Sequence, residues 1–299
     1  MTDSRRVLLG VSLSLLAIAL VASAGCSKGP KRFRVGLVDL TKWNAVNYSY
    51  PPNGQPYADW VVSDDKLSAT QKVNADPSIF VSDRALAHTS VSGRWLVEAH
   101  DDDDFIGFVF GYQNPGQFYL FDWKSGTQSD GSLGTAEQGM AVKVANVPYS
   151  GPPSGNLEAG MPFDDEALWS TQGSKGKVTL LHHEPTEGWE YDKPYRFQLN
   201  FHPGNFSVEV KDGDRVVYYR TFEDATYRTG RFGFYNYSQG GVVYKGFETT
   251  MLSGGFSLWW LIIILIVVIV IVFIIVVLIR RRRLSAGVLA ETVTENADE

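Results

Sequence analysis

The sequence predicts an all-β sandwich or barrel followed by one transmembrane helix. Three observations predict this architecture. No amphipathic helical period persists through the central ~220 residues, the size of one all-β domain. Short runs of alternating apolar and polar residues recur there instead, separated by Gly, Pro, Asn and Asp, and 13% of the chain is aromatic. Near the C-terminus, 22 apolar residues follow one another without a break.

The stretch 101–124, DDDDFIGFVFGYQNPGQFYLFDWK, is the clearest predicted element. An apolar run at 105–112 and an aromatic-rich run at 118–123 flank the sequence Asn-Pro-Gly at 114–116. These three residue types tolerate the backbone dihedrals of a tight turn, which β-branched residues resist. The stretch therefore predicts a β-hairpin with four aspartates at its entrance.

Other strands follow from period-two alternation between turn signals. The predicted strands are 60–62, 67–73, 94–98, 139–144, 196–202, 206–210, 215–221, 232–234 and 242–247. The Pro- and Gly-rich segment 148–165 predicts a long loop over one rim. About a dozen strands with regular turns indicate a single sandwich or barrel without an internal repeat.

Residues 1–25 have the pattern of a secretory signal peptide. Arg5 and Arg6 precede the apolar run 7–21, and small residues follow. Residues 23–26, Ser-Ala-Gly-Cys, resemble a bacterial lipobox in which Cys26 would be lipidated, whereas 22–24, Ala-Ser-Ala, suit an ordinary signal peptidase. The sequence leaves both routes open, and residues 26–55 are interpreted as a partly ordered lead-in.

The apolar run 258–279 predicts a helix that spans a membrane. A helix of this length would measure about 33 Å, which is enough for the hydrocarbon core. Trp259 and Trp260 stand at one end and four arginines, 280–283, at the other, so the tail 280–299 is predicted to be cytoplasmic and 284–299 disordered. Ser253-Gly254-Gly255 before the helix also resembles a sorting signal that is cleaved, although sixteen residues follow the arginines.

Charge argues against nucleic acid as a partner. The formal net charge is −6, and residues 27–257 alone carry 28 acidic against 21 basic residues, a net charge of −7. No basic stripe is visible along the sequence. A single cysteine, Cys26, excludes an intramolecular disulfide framework.

The four consecutive carboxylates of Asp101, Asp102, Asp103 and Asp104 indicate either a cation site, for which calcium is the candidate, at the rim of the sheet or a solvated acidic loop. Calcium prefers six to eight oxygen ligands on loops or strand ends, and adjacent carboxylates repel one another unless a cation lies between them. Side chains alternate along a strand, so some of the four must leave strand geometry to converge on one ion. Asp76 is a further candidate ligand.

The run 58–248 resembles the C-terminal domain of thrombospondins, a lectin-like (concanavalin A-like) jelly-roll β-sandwich, here assigned to 56–250. The resemblance rests on blocks in matching order: 59–62, 73–77, 101–124, 167–169, 180–185, 188–189, 195–197, 229–233 and 237–239. It implies calcium binding and cell or matrix adhesion. The acidic repeats that precede this domain in thrombospondins, the family's cysteines and any Arg-Gly-Asp motif are absent from the sequence, so integrin binding and matrix assembly do not carry over.

Catalysis finds little support in the sequence. The sequence contains no Gly-x-Ser-x-Gly motif, no phosphate-binding loop and no His-Glu-x-x-His motif. The predicted function is therefore a membrane-anchored, extracytoplasmic, calcium-binding adhesion or recognition module with a protein or glycan ligand. A glycan-binding lectin is the first alternative, and a glycoside-active enzyme that uses Glu98 is the second.

Overall fold

A computed structural model describes residues 33–50, 54–157, 161–252 and 258–295. The chain divides into two compact units, one through Ser253 and one from Gly254, and each is considered by itself. The predicted signal peptide 1–25 and Cys26 lie outside the described residues, so both interpretations stay predictions.

The described part of the first unit consists mainly of strands. Their bounds are β1 Phe33–Leu37, β2 Asn44–Asn47, β3 Trp60–Val62, β4 Ser68–Gln71, β5 Ser78–Leu86, β6 Thr89–Val97, β7 Phe105–Asn114, β8 Gln117–Lys124, β9 Gln128–Asp130, β10 Gly134–Ala136, β11 Gly139–Asn146, β12 Gly155–Asn156, β13 Gly173–Ser174, β14 Val178–Glu184, β15 Tyr195–His202, β16 Asn205–Asp212, β17 Arg215–Glu223, β18 Gly230–Tyr237 and β19 Val242–Met251. A 3-10 turn spans Leu40–Lys42, and a one-turn helix, α1, spans Glu166–Trp169.

Two large sheets confirm the all-β sandwich. The eight-stranded sheet has the order β17-β16-β15-β6-β19-β4-β3, with β1 also pairing with β19. The nine-stranded sheet has the order β12-β2-β5-β18-β7-β8-β11-β14-β13, and β9 and β10 form a separate two-stranded ribbon. Neighbours in each sheet are mostly distant in sequence, which is the connectivity of a sandwich rather than of a simple meander.

The core between the sheets is built by alternation. Along β15 the buried residues are Tyr195, Phe197, Leu199 and Phe201, while the residues between them are more exposed. Rings from both sheets meet there: Phe108 of β7 packs against Phe197 of β15 at 5.1 Å between centroids. Aromatic side chains bury large areas with few rotatable bonds, so the high aromatic content accounts for this packing.

The nine-stranded sheet also buries much of its outer face. A second cluster lies there, in which Phe105 and Tyr237 of the sheet contact Trp169 of α1. The described part of the predicted loop 148–165 contributes Leu157 and Phe163 to this cluster. The sheet is therefore covered on both sides, and polar residues on its outer face become buried.

The predicted hairpin is confirmed. β7 and β8 pair with Ile106 opposite Trp123 and Asn114 opposite Gln117, and the amide of Gly116 donates to the side chain of Asn114 at 2.9 Å. The pairing extends two residues beyond the predicted end of the first strand. Asn114 ends the strand because its side chain closes the turn.

Strand β5 was missed because it lacks alternation. Its first five residues are all buried, since the strand lies between β2 and β18 in the doubly covered sheet. A strand that is buried on both faces has no period-two signal in its sequence. Most of β6 before Arg94 and most of β14 were also missing from the predicted strands.

Part of the predicted lead-in 26–55 lies in the sheets. β1 pairs with β19 and β2 pairs with β5, so residues 33–47 contribute strands at two places. The domain bounds 56–250 stay a prediction, and strands β1 and β2 join the sheets from the N-terminal side of these bounds.

The second unit contains one long helix, α2, at Leu258–Glu295. Its segment Ile262–Arg280 has a mean hydropathy of 4.2 and is long and apolar enough to cross a membrane, by length and composition. The prediction of a disordered tail is wrong for 284–295, where the helix continues. Leu, Ala and Glu in this tail are good helix formers, which favours continuation of the helix.

Candidate functional site: an acidic corner at the entrance to β7

Three of the four consecutive aspartates converge where the chain enters β7. Asp102, Asp103 and Asp104 each place one carboxylate oxygen within 4.8 Å of the others. Residues 102–104 have no strand geometry, which frees their side chains from alternation. We call these three residues the acidic corner.

A lysine of the same hairpin lies inside the acidic corner. The ammonium of Lys124, at the end of β8, donates to Oδ1 of Asp103 at 3.1 Å and also to Oδ1 of Asp104. Its side chain is 1% exposed and lies 5.4 Å from the centroids of the Phe105 and Trp169 rings. The hairpin thus supplies its own cation to the carboxylates at its entrance.

Burial dominates the chemistry of Asp104. The residue is 1% exposed, and this burial raises the pKa of its carboxyl from 3.8 to about 6, against the opposing charge of Lys124. Desolvation penalises the ionised form more than one ammonium compensates for it. Asp104 therefore titrates in a range where a free carboxylate would already be fully charged.

Asp102 is held by hydrogen bonds rather than by charge. Its Oδ2 accepts from the side-chain amide of Asn74 at 2.6 Å, and its Oδ1 accepts from the backbone N–H of Asp103 at 2.9 Å. The hydroxyl of Tyr191 donates to its backbone carbonyl. These contacts orient the loop, and Asp103, whose side chain is 50% exposed, is the most accessible member of the corner.

The other two predicted ligands lie outside this group. Asp101 is exposed and its carboxylate does not join the three-residue group. Asp76 is buried, and its carboxylate accepts from the backbone N–H groups of Tyr50 at 3.2 Å and Gln55 at 3.0 Å. Burial raises the pKa of Asp76 despite these hydrogen bonds. Its hydrogen bonds hold the backbone at Tyr50 and Gln55 in place, and a role as metal ligand stays a prediction.

A hydrogen-bonded chain nevertheless connects Asp76 to the corner. The side chain of Gln55 donates to the hydroxyl of Ser238 at 2.7 Å, and this hydroxyl donates to Asn74 at 3.3 Å. Asn74 in turn donates to Asp102. Ser238 adopts a φ of +54°, which a residue other than glycine rarely does, so the chain constrains the turn after β18.

A second buried ion pair lies deeper under the outer cover of the sheet. Asp122 of β8 and Lys143 of β11 are 2% and 0% exposed, with 2.9 Å between Oδ2 and Nζ. Burial raises the pKa of Asp122, and Lys143 opposes that shift. This pair is sealed from solvent, whereas the acidic corner opens to it through Asp103.

The donor set of the acidic corner fits a hard divalent cation. Three carboxylates bring three negative charges when ionised, and Lys124 neutralises one of them, which leaves a net charge of −2. Carboxylate oxygens are the ligands that calcium prefers. An ion here would share Asp103 and Asp104 with the ammonium, so Asp102, Asp103 and backbone carbonyls of the loop would hold most of it.

Sequence reasoning missed Lys124 and Asn74. Hairpin register could have found Lys124, because the pairing of Ile106 with Trp123 brings the next residue of β8 to the entrance of β7. Asn74 comes from a separate loop and is joined to Asp102 only by the packing of the two sheets. No local signal points to it.

Comparison with known proteins identifies a family. A profile of the thrombospondin C-terminal region matches residues 55–251. Thrombospondin-1 of Xenopus laevis is 32% identical over 218 residues, which cover 70% of this chain and 18% of that protein. Cartilage oligomeric matrix protein of Homo sapiens is 30% identical over 223 residues, which cover 72% of this chain and 28% of that protein. The matched part of the chain spans less than a third of each of these relatives.

Solved structures resemble the chain more distantly. The exoplasmic domain of VIP36 in its Ca²⁺- and mannose-bound form has a TM-score of 0.44 and 9% identity, and the alignment covers 72% of this chain and 85% of that chain. A carbohydrate-binding module from Bacillus subtilis has a TM-score of 0.45 and 10% identity, over 70% of this chain and 94% of that chain. Likeness at this level carries no functional argument.

Proposed function

The chain belongs to the thrombospondin C-terminal family, and from that premise we propose that it is a membrane-anchored, extracytoplasmic adhesion or recognition module that binds calcium. The observation that carries the proposal is the convergence of Asp102, Asp103 and Asp104 in a domain of this family. The module is non-catalytic and presents its sandwich to a protein or glycan ligand.

Calcium would order the entrance to β7. The corner retains a net charge of −2 after pairing with Lys124, which a divalent ion balances. Binding to Asp103 would reduce the repulsion between neighbouring carboxylates at the exposed side of the corner. The ion would be structural, and its effect is expected on the stability of the loop 101–104 rather than on any reaction.

Anchoring is proposed from helix α2 and its flanks. The segment Ile262–Arg280 has the length and hydropathy of a membrane span. Arginines 280–283 follow it, and an excess of positive charge favours the cytoplasmic side. We retain the division into signal peptide 1–25, lead-in 26–55, sandwich 56–250, helix 258–279 and cytoplasmic tail 280–299, with lipidation of Cys26 as one route of N-terminal processing.

Isothermal titration calorimetry with CaCl₂ on a fragment of residues 27–253 tests the calcium site. We expect exothermic or endothermic binding near one ion per chain and a rise in melting temperature. Asp103→Asn should weaken binding about tenfold, because it removes the most accessible carboxylate. Asp101→Asn is the matched control and should bind as the wild type does. No heat and no melting shift would count against the site.

A glycan-binding lectin is the alternative within the same fold. Binding on a glycan array that disappears with chelator would favour a lectin whose ligand depends on calcium. Turnover of an oligosaccharide that is lost in Glu98→Gln would favour a glycoside-active enzyme over both binding functions.

A further inference from the structure

Four basic residues that are far apart in sequence form one row across the eight-stranded sheet. Arg94 of β6 lies directly opposite Lys245 of β19 on one side and Arg196 of β15 on the other. Arg196 in turn lies opposite Lys211 of β16. At about 4.8 Å between strands, the row is about 14 Å long. We call these four residues the basic row.

The basic row faces away from the core. Arg94, Arg196 and Lys245 are exposed, and their chain neighbours Trp95, Phe197 and Tyr244 are buried between the sheets. The row therefore lies on the open outer face of this sheet. The described residues place no covering segment like the one over the other sheet on this face.

The basic row does not by itself stabilise the folded state. Like charges directly opposite on neighbouring strands are destabilising. Within the described ranges, Lys211 pairs with Glu209 at 2.8 Å, whereas the other three cations have no carboxylate oxygen within 4.0 Å. Arg94, Arg196 and Lys245 thus place three unpaired cations on three neighbouring strands, a charge that an anionic ligand would neutralise.

A cleft of about 420 Å³ runs along the basic row. Its opposite side is a second row in direct register: Glu248, Ser92, Gln198 and Glu209. A β-bulge in β19, with Gly246 at φ +64°, keeps both Lys245 and Glu248 on the outer face despite their spacing of three residues.

An exposed aromatic ring lies at the end of the second row. Tyr219 of β17 is opposite Glu209 and is 62% exposed, whereas its neighbour Tyr218 packs in the core. Exposed rings next to polar groups are typical of surfaces that bind ligands with an apolar face and polar edges. The C–H face of a pyranose ring is such a ligand surface.

We propose that this face of the sandwich binds an acidic saccharide, with the basic row taking its sulfate or carboxylate groups. Arg94 and Arg196 bind the anionic groups, because the guanidinium fork matches oxyanions with two hydrogen bonds. Gln198 donates to or accepts from sugar hydroxyls, Glu209 accepts from them, and Tyr219 stacks on one ring. The 14 Å length suits about three sugar residues.

A saccharide fits this surface better than other polyanions. The two glutamates repel a uniformly charged backbone such as nucleic acid, while they accept hydrogen bonds from sugar hydroxyls. This proposal names a ligand class for the proposed recognition function. It rests on that function only in assuming that the sandwich lies outside the cytoplasm.

Surface plasmon resonance with the full chain in dodecyl maltoside micelles tests the proposal. The probes are a heparin-derived hexasaccharide and neutral maltohexaose, at 50 and 300 mM NaCl. We expect binding of the sulfated probe that weakens with salt and no binding of the neutral one. The double substitution Arg94→Gln/Arg196→Gln should weaken binding about tenfold, since each exposed charge contact contributes modestly. Tyr219→Ala should weaken it several-fold.

Arg84→Gln is the matched control, because it removes an exposed arginine from the other sheet. It should bind as the wild type does, and melting curves establish that all variants are folded. Equal binding by the double variant would overturn the proposal. So would equal affinity for a twelve-nucleotide single-stranded DNA, or for vesicles of anionic phospholipid in place of the hexasaccharide.

Chelator separates this proposal from the calcium site. The basic row and the acidic corner are on different sheets, so hexasaccharide binding should persist in EDTA. Failure of the calcium calorimetry would leave the saccharide site standing. Loss of hexasaccharide binding in EDTA would contradict an independent site on this face.

Discussion

The acidic corner and the basic row both bring like charges together, but the fold provides partners to the first and leaves most of the second exposed. Asp102, Asp103 and Asp104 are contiguous in the sequence, and the fold supplies them with Lys124 and Asn74 as partners. The basic row gathers residues 94, 196, 211 and 245 from four strands, and the described residues neutralise only Lys211. Charge that is conspicuous in the sequence thus receives a buried counter-ion and a hydrogen-bond partner, while charge that is dispersed becomes the exposed feature.

This difference separates stability from recognition. A buried carboxylate depends on its partner, because loss of that partner leaves an uncompensated buried charge. An exposed, unpartnered cation costs the fold a little and is free for a ligand. Removal of Lys124 should therefore lower stability, whereas removal of a cation from the basic row should raise it slightly.

Removal of the corner's internal cation has the largest expected effect. Lys124→Met keeps the length of the side chain beside Phe105 and Trp169 but leaves Asp104 buried without its counter-charge. We expect a loss of about 3–5 kcal/mol in the free energy of unfolding at pH 8, measured by urea denaturation. The loss should be smaller at pH 5, where Asp104 is protonated.

Lys177→Met is the control for this substitution. Lys177 pairs with Asp164 at 2.9 Å, but both side chains are more than 40% exposed. Exposed ion pairs contribute at most about 1 kcal/mol. Equal losses of unfolding free energy in the two variants would show that the contribution of the Asp104–Lys124 pair to stability does not depend on its burial.

The pH dependence of stability follows from Asp104. Its pKa is about 6 in the folded protein against 3.8 as its ordinary value, so the folded state binds this proton more tightly. The resulting stabilisation is fully present below pH 3.8 and is lost as pH rises through 6. Relative to Asp104→Asn, the wild type should therefore lose about 2–3 kcal/mol between pH 4 and pH 7.

Urea denaturation of both proteins in EDTA at several pH values measures this difference. Asp76 and Asp122, whose pKa values are also raised by burial, are present in both proteins, so their contributions largely cancel. Parallel stability profiles of wild type and Asp104→Asn would contradict the assignment of the titration to Asp104.

The smallest expected effect is a gain in stability from the basic row. Arg196→Gln removes the middle of three like-charged neighbours, Arg94 and Lys211 being directly opposite on each side. We expect a gain of about 0.5 kcal/mol in 50 mM NaCl that diminishes in 500 mM NaCl, measured by chemical denaturation. A loss of stability would mean that Arg196 makes favourable contacts that outweigh the repulsion.

Much of the fold was predictable because its signals are local. The hairpin β7–β8 follows from Asn114-Pro115-Gly116 between two apolar runs, and β15 follows from clean alternation. Strand β5 was not predictable in this way, because a strand buried on both faces has no period-two pattern. The short helix α1 was likewise unpredicted, since four residues are too few for a helical period.

The candidate site was predictable only in part. The four aspartates indicated a cation site, but the sequence could not tell that Asp101 stays outside the group, nor that Asp76 clamps the backbone of Tyr50 and Gln55. Those outcomes depend on which loops pack against the entrance to β7. No basic stripe runs along the sequence, but strand pairing brings four distant cations into one row on the folded surface.

Turn residues, alternation and hydropathy act between neighbours in the chain, so the sequence is enough to predict the all-β class, the hairpin and the apolar helix, and its motif blocks indicate the family. Which charges meet depends on the folded chain. The register of β19, β6, β15 and β16 aligned four distant cations into one row, and the burial of Lys124 gave the acidic corner its partner. Register depends on the packing of both faces of a sheet, and no local stretch of sequence contains that information.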